Sequence, residues 1–324
     1  MRSSSFAVLR HLADGRLRSG AEIAAALRVS RAAVSDAVRA LESNGLDVLA
    51  VRGRGYRLAA PFDALDAAAI GAALGAQPGA VRLEVIDECD STNAVLAARA
   101  AAGAPSGTAV VCELQRAGRG RRGAGWVSGL GAGLTLSMLW RFDRATASLT
   151  GLPLAIGVAC ARALEALGAS GVGLKWPNDI VRGEAKLGGI LVEVAGDGER
   201  SSAAVIGVGI NVRLPDAARR AIGRPVADLG VGREAPSRNA LAARLAAEIA
   251  AAAAAFERAG FGAFRDEWLR RHAWQGRRVR VLAPSRRTVD GVAAGVADDG
   301  ALIVDTPRGP ERFHSAEVSL RLAA

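Results

Sequence analysis

The chain has 324 residues, half of them hydrophobic, and a formal net charge of +10. That length allows two or three domains around a sizeable core, and the charge favours anionic partners such as nucleic acid, nucleotides or acidic proteins without choosing between them. Neither a long unbroken apolar run nor an apolar signal core accompanies Arg10, Asp14, Arg16, Arg18 and Glu22, so export and membrane insertion are not expected and the cytoplasm fits.

Residues 1–60 read as three helices and a hairpin. Ser5–Leu12 has apolar residues at helical spacing, Ser19-Gly20-Ala21-Glu22 is a capping box into Ile23–Leu27, and Ser30 can cap a third helix. That helix gathers Val34, Ala37, Val38 and Leu41 on one face and turns Arg31, Ser35 and Arg39 outward. Val48–Val51, a turn with Arg52 and Arg54, and Tyr56–Leu58 follow as a basic hairpin. Helix-turn-helix plus wing is a DNA-binding arrangement, with Ser30, Arg31, Ser35, Arg39, Arg52 and Arg54 as candidate contacts; a protein-interaction module is the alternative. Asp36 opposes DNA binding, because an acid near the outward face repels phosphate.

Pro61-Phe62-Asp63 reads as a linker, Leu65–Leu74 as a short helix and Val81–Ile86 as a strand. The strand runs into Asp90-Ser91-Thr92-Asn93, where capping of the next helix accounts for one hydroxyl of Ser91 and Thr92 and leaves the other for a ligand. Gln115-Arg116-Ala117-Gly118-Arg119-Gly120-Arg121-Arg122-Gly123, followed by Trp126, puts permissive backbone among four arginines and suits a phosphate or carboxylate. Its glycines satisfy G-x-G-x-x-G, but the glycine-rich 124–133 cannot supply the helix a dinucleotide fingerprint needs. A floppy surface loop is the competing reading of the motif.

Leu134–Trp140 reads as a strand and Leu152–Leu167 as an amphipathic helix. In Lys175-Trp176-Pro177-Asn178-Asp179 the proline fixes the backbone, so Asn178 and Asp179 are aimed. Lys186–Glu193, with Gly188 and Gly189, and 203–212, with Gly207 and Gly209, read as strands; such glycines suggest a ligand lying on the sheet, or else a crowded helix contact. Ser237–Ala259 and Phe261–Arg271 are helical, and the pattern beyond Gly276 is all-β. The cysteines, Cys89, Cys112 and Cys160, lack C-x-x-C spacing, predicting reduced thiols and no zinc site. His11, His272 and His314 have no metal-ligand spacing. Of 42 basic residues only two, Lys175 and Lys186, are lysines. A compact ammonium can follow a moving phosphate or carboxylate oxygen better than a planar guanidinium, which makes both lysines site candidates against chance retention.

No P-loop and no G-x-S-x-G is present. A basic glycine loop, an Asn-Asp turn and two lysines instead describe a site for a polyanion such as ATP beside a smaller apolar ligand, where carboxylate attack on the α-phosphate proceeds by charge neutralisation and alignment. Across nearly its whole length the chain resembles the bifunctional biotin-protein ligases that also repress biotin synthesis genes. Ser30-Arg31-Ala32-Ala33, Gly53-x-Gly55-Tyr56, Asp90-Ser91-Thr92-Asn93, Gln115-x-Ala117-Gly118-Arg119-Gly120-Arg121-x-Gly123, Lys175-Trp176-Pro177-Asn178-Asp179, Lys186-Leu187-x-Gly189-Ile190-Leu191-x-Glu193 and Gly207-x-Gly209-Ile210-Asn211 carry the resemblance.

The resemblance implies an α+β chain: a winged helix-turn-helix domain (1–62), a catalytic domain with a mixed β-sheet and helices (63–274) and a small SH3-like β-barrel (275–324). It implies biotin, ATP and Mg2+ as reactants and cofactors, a biotin carboxyl carrier domain of acetyl-CoA carboxylase or a related carboxylase as acceptor, biotin operator DNA as a second partner, and a homodimer when adenylate-bound. Ser91, Thr92 and Gln115 would hold the biotin head and Arg119 and Gly120 its carboxylate end, with Asn93, Arg121, Lys186 and Gly189 also among the biotin-binding residues. Lys186 would bridge carboxylate and phosphate, Arg121 would bind the α-phosphate and retain the adenylate, and Asp179 would help place metal or nucleophile. Arg119, Arg121, Arg122, Trp126, Lys175, Asn178 and Asn211 would serve ATP, with Asn211 reading adenine; the metal ligands are not assigned. Ala124-Gly125 replaces a basic residue frequent before Trp126 in the family, implying weaker closure of the Arg/Gly loop. The competing expectations are a ligase without operator binding, a lipoate-type acyl-protein ligase, and a regulator with a dead adenylating site.

Overall fold

The structure, a computed structural model, describes residues 1–322 except 2, 76–80, 128, 197–200, 231–233, 283–287 and 315–318. Helices α1 (Ser3–Leu12), α2 (Gly20–Leu27) and α3 (Arg31–Ser43) precede strands β1 (Val48–Val51) and β2 (Gly55–Leu58). The capping box forms as expected: the Ser19 hydroxyl accepts from the Glu22 amide at 3.1 Å and the Glu22 carboxylate accepts from the Ser19 amide at 2.8 Å. Ser30 caps α3. The wing is pinned to the body because Arg18 and Tyr56 exchange backbone hydrogen bonds of 3.0 and 2.9 Å; a Cβ at Gly55 would collide with the Arg18 carbonyl.

The core of this domain takes in Leu114 and Leu130 from the central domain. Polar contacts join the two as well: the Met1 amino group pairs with Glu88, Arg10 with Asp87, and Arg116 reaches Glu88 at 2.6 Å and Asn44 Oδ1 at 3.0 Å.

After α4 (Ala67–Leu74) come β3 (Arg82–Cys89), α5 (Thr92–Ala101), β4 (Thr108–Gln115), β5 (Gly133–Phe142), α6 (Leu152–Ala166), β6 (Val172–Lys175), β7 (Asp179–Arg182), β8 (Ala185–Gly196), β9 (Ser202–Asn211), α7 (Asp216–Ile222), α8 (Arg238–Ala259) and α9 (Gly262–Arg271). The seven strands form one mixed sheet in the order β3-β4-β5-β9-β8-β7-β6, parallel only between β3 and β4. One face is covered by α6 and α8 and holds the main core. The other carries α5, whose Leu96 packs with Val110, Leu139 and Val205 of the sheet, and leaves the middle of the sheet open. By length and apolarity, Thr146–Ala166 and Arg238–Ala259 reach what a membrane span needs, but 72% and 56% of their apolar windows are buried in this fold, as core helices are. Strands β10 (Arg278–Leu282), β11 (Thr288–Val296), β12 (Leu302–Thr306), β13 (Gly309–Phe313) and β14 (Ser319–Leu322) form a separate antiparallel sheet. The helix-turn-helix, mixed-sheet and antiparallel units expected from the sequence are thus present.

A buried ion pair between α8 and β4 also holds the segment that follows the wing. Arg238 Nη1 lies 2.5 Å from Glu113 Oε1, both side chains being under 5% exposed. Arg238 also donates to the Asp63 carbonyl, and Glu113 accepts from the Leu65 amide at 2.9 Å. Removing one partner strands the other charge away from water, so Glu113→Ala should cost about 3–5 kcal/mol. Urea unfolding followed by tryptophan fluorescence checks this, with a markedly lower midpoint expected.

Candidate functional site

The open part of the sheet is organised as cross-strand rows. Opposed residues in neighbouring strands face the same side, and one row runs Cys112, Thr135, Gly209, Gly189, Asp179, Lys175 from β4 to β6. Strands lie about 4.8 Å apart, so Thr135 and Asp179, three strands apart, are separated by roughly 14 Å. A cleft stands over this row, walled by the Arg/Gly segment on one side and by the start of α5 on the other.

The neutral end is a hydrogen-bonded cluster. Gln115 Oε1 accepts from the Thr92 amide at 2.8 Å and lies 3.1 Å from the Thr92 hydroxyl, while Ser137 Oγ lies 2.7 Å from Thr92 Oγ1 and 2.6 Å from Asn93 Oδ1. Asn93 Nδ2 donates to Glu193 at 2.7 Å, and Arg119 Nη2 reaches the same carboxylate at 3.4 Å. One expectation is corrected here. Ser91 occupies the N-cap of α5 but makes no side-chain cap bond, and Thr92 spends its hydroxyl on Gln115, so capping consumes neither.

The charged end contains both lysines of the chain. Lys186 Nζ forms an ion pair with Asp179, and Lys175 Nζ stands 3.7 Å from the other Asp179 oxygen and 4.3 Å from the Trp274 ring centroid. Burial holds the Lys175 pKa below its ordinary value, with Asp179 pulling the other way. Arg121 Nη1 is 3.3 Å from Asn178 Oδ1, and burial lowers the guanidinium pKa against the opposing charge of Asp179. Asn178 is fixed by giving its Nδ2 to the Ile190 carbonyl at 2.6 Å.

The Arg/Gly segment is a folded hairpin rather than a floppy loop or the start of a long helix. Trp126 N donates to Gly118 O at 2.8 Å, Gly120 N donates to Ala124 O at 2.6 Å, and only a single 3-10 turn, Arg121–Gly123, forms. The hairpin lowers Trp126 onto the glycines of the sheet: a Cβ at Gly209 would lie 2.5 Å from Trp126 Cε2. Gly207 makes room for Asn93 in the same way, whereas Gly188 faces Ile210 on the core side. The glycine-bearing strands therefore accommodate the side chains that wall the cleft. Gly209→Ala should displace the Trp126 ring and slow substrate activation by about tenfold to a hundredfold, since a misplacement of 1 Å has costs of that size. Steady-state kinetics together with an unchanged circular dichroism spectrum check it.

Of the residues expected from the sequence, Ser91, Thr92, Asn93, Gln115, Arg119, Gly120, Arg121, Trp126, Asn178, Asp179, Lys186 and Gly189 line the cleft. Lys175 stands behind Asp179. Arg122, with a left-handed φ of 57°, is exposed and outside the lining set. Asn211 is buried and gives its Nδ2 to the carbonyls of Lys186 at 3.2 Å and Ala227 at 3.0 Å, so it braces the lysine from behind. Two lining residues escaped the sequence reading: Thr135, inside an ordinary strand pattern, and Arg224, in a segment without a motif.

On the N-terminal domain, Arg31, Arg39, Arg52 and Arg54 are exposed. Ser30 spends its hydroxyl on the cap, while Ser35 Oγ lies 3.4 Å from Arg39 Nη1. Asp36 pairs with Arg39.

The site is thus a cationic cleft with a neutral hydrogen-bonding end, on a mixed sheet joined to a helix-turn-helix domain. Sequence profiles of the Biotin/lipoate A/B protein ligase family, the Biotin protein ligase C terminal domain and an HTH domain match residues 85–211, 276–321 and 5–57. The chain is 38% identical to the bifunctional ligase/repressor BirA of Salmonella typhimurium over 96% of both chains. It is also 38% identical to the biotin--[acetyl-CoA-carboxylase] ligase of Mycobacterium tuberculosis, over 72% of this chain and 86% of that one. The structure of the Aquifex aeolicus biotin protein ligase in complex with biotin and ATP superposes with a TM-score of 0.64 at 27% identity, covering 75% of this chain and 99% of that chain. The chain belongs to the biotin protein ligase family, with the domain content of its bifunctional ligase/repressors.

Proposed function

We propose that the chain joins biotin to ATP as biotinyl-5'-AMP and then transfers the biotinyl group to a lysine of a biotin carboxyl carrier domain, that of acetyl-CoA carboxylase or a related carboxylase. In the first step a biotin carboxylate oxygen attacks the α-phosphorus and pyrophosphate leaves. In the second, the carrier amine attacks the acyl carbon, AMP leaves and an amide forms. The observation that carries this reading is that the chain's only two lysines both pair with Asp179, across from the neutral Thr92-Gln115-Ser137 cluster.

On this reading the biotin head sits at Ser91, Thr92, Asn93 and Gln115, with its tail along Gly189, Arg119 and Gly120 toward Lys186. Lys186 exchanges Asp179 for the reacting oxygens, and Arg121 holds the α-phosphate. Trp126 covers the nucleotide, with Lys175, Asn178 and Arg122 contributing at its phosphate end. Asn211 acts through Lys186 and the Ala227 carbonyl as much as through adenine. Magnesium would arrive with the triphosphate: Asp179 offers it a carboxylate, while no three His, Cys, Asp or Glu side chains cluster as a metal cage among the described residues. The test is to incubate the chain with carrier domain and MgATP, with biotin in one arm and lipoate in another, and to measure AMP, pyrophosphate and the mass of the carrier. A carrier that gains lipoate but not biotin overturns the assignment in favour of a lipoate-type ligase.

The exposed arginines of α3 and the wing support a second activity in the cytoplasm, repression at a biotin operator, with the adenylate-bound homodimer setting two recognition helices on a palindromic site. Because Asp36 neutralises Arg39, Asp36→Asn should free one further phosphate contact. The slope of log affinity against log salt should then steepen by about one, as read by fluorescence anisotropy on duplex DNA.

A further inference from the structure

The reading of the cleft as a biotin-activating site leaves one polar group unexplained. Thr135 on β5 lines the cleft and is 4% exposed, yet its hydroxyl has no hydrogen-bond partner among the described residues. The residues around it are otherwise committed. Across β4, the Cys112 thiol donates to the Leu114 carbonyl at 3.1 Å. Across β9 stands Gly209, which has no side chain to offer. Two residues along the same face, Ser137 spends its hydroxyl on Thr92 and Asn93. A buried hydroxyl without a partner costs free energy on the order of a lost hydrogen bond, so a strand here would be more stable with valine.

We infer that the Thr135 hydroxyl is a positioning group for the vitamin: it hydrogen-bonds a ring heteroatom of the bicyclic biotin head. It lies in the row that runs on through Asp179 to Lys175 and beside the cluster that would receive the head, and its β-branched side chain has few rotamers to lose when the ligand arrives. The protein's own side chains leave this hydroxyl without a partner, and a biotin ring heteroatom would supply one. This inference deepens the ligase reading and depends on it.

The two states predict opposite effects of one substitution. Thr135→Val keeps the shape and deletes the hydroxyl. Titration of the full chain with biotin should show binding weakened about five- to tenfold, the value of one ordinary hydrogen bond. The KM for ATP should stay unchanged, and the ligand-free protein should melt at the same temperature or higher. Thr135→Ser restores the hydroxyl and should bind biotin within about twofold of the parent. Unchanged biotin affinity in Thr135→Val overturns the inference, as does a loss shared by Thr135→Ser and accompanied by a lower melting temperature, which would mark a packing role. If the unsubstituted chain fails to adenylate biotin at all, the ligase reading itself fails, and that result is distinct from either.

Discussion

Lys186→Ala should slow formation of biotinyl-5'-AMP by about 10²- to 10³-fold, the loss seen when one preorganised charge-stabilising donor is taken from a reaction centre. The first step brings a carboxylate against a phosphate, and the barrier lies in placing two anions together. In the proposed mechanism Lys186 is the cation that offsets their repulsion. Its backbone amide donates to the Pro225 carbonyl at 3.1 Å and its carbonyl accepts from the Ala227 amide at 2.9 Å, while Asn211 holds the same carbonyl from the other side. The side chain lies over Gly189, where a Cβ would come within 3.1 Å of the ammonium. Lys186→Arg should rescue little, because a planar guanidinium fork cannot follow the reacting oxygens as a compact ammonium does. Pyrophosphate exchange reads the first step, and aminolysis of supplied biotinyl-5'-AMP reads the second. A normal exchange rate in Lys186→Ala removes the residue from its role. Equal losses in both steps would point to a distorted pocket instead.

The sequence exposed those parts of the fold and cleft whose logic is local. The capping box at Ser19 and Glu22, the Ser30 cap and the basic wing are written within a few residues of one another, and each forms where expected. The Arg/Gly segment is conspicuous in the sequence as a basic glycine run, but its fold is not: the hairpin depends on Trp126 returning to Gly118, which spacing alone does not reveal. What stayed hidden depends on strand register. β7 is four residues long and enters the sheet only because β6 and β8 flank it; no periodicity marks so short a run. Thr135 reaches the cleft because β5 pairs with β9 at Gly209, a partner more than seventy residues away. Gly188 and Gly189 look equivalent in sequence, yet alternation sends one toward Ile210 and the other toward Lys186. The scarcity of lysine was the most informative compositional signal, since both surviving lysines converge on one carboxylate.

Arg121→Gly should leave the first step running while the product escapes, and the escaped product will acylate amines outside the protein. Arg121 is half-buried beside Asn178 and Asp179. In the proposed adenylate complex its guanidinium faces the one phosphate that remains after pyrophosphate leaves. A hydrogen bond to a charged group is worth about 1.5–3 kcal/mol, so its loss should speed adenylate release by about tenfold to a hundredfold. Glycine also loosens the 3-10 turn that holds the hairpin over the cleft. A free acyl adenylate reacts with any accessible amine, which gives the experiment an unusually clean form here. This chain has only two lysines, both committed to Asp179, so it presents almost no amines of its own to consume the leak. Added bystander proteins should therefore carry the biotin, in proportion to their surface lysines, while the variant itself stays nearly unlabelled. Streptavidin blotting with mass spectrometry distinguishes the outcomes. Labelling confined to the carrier domain would show that retention rests on other groups. Heavy labelling of the variant's own Lys175 or Lys186 would show that the adenylate never leaves the cleft.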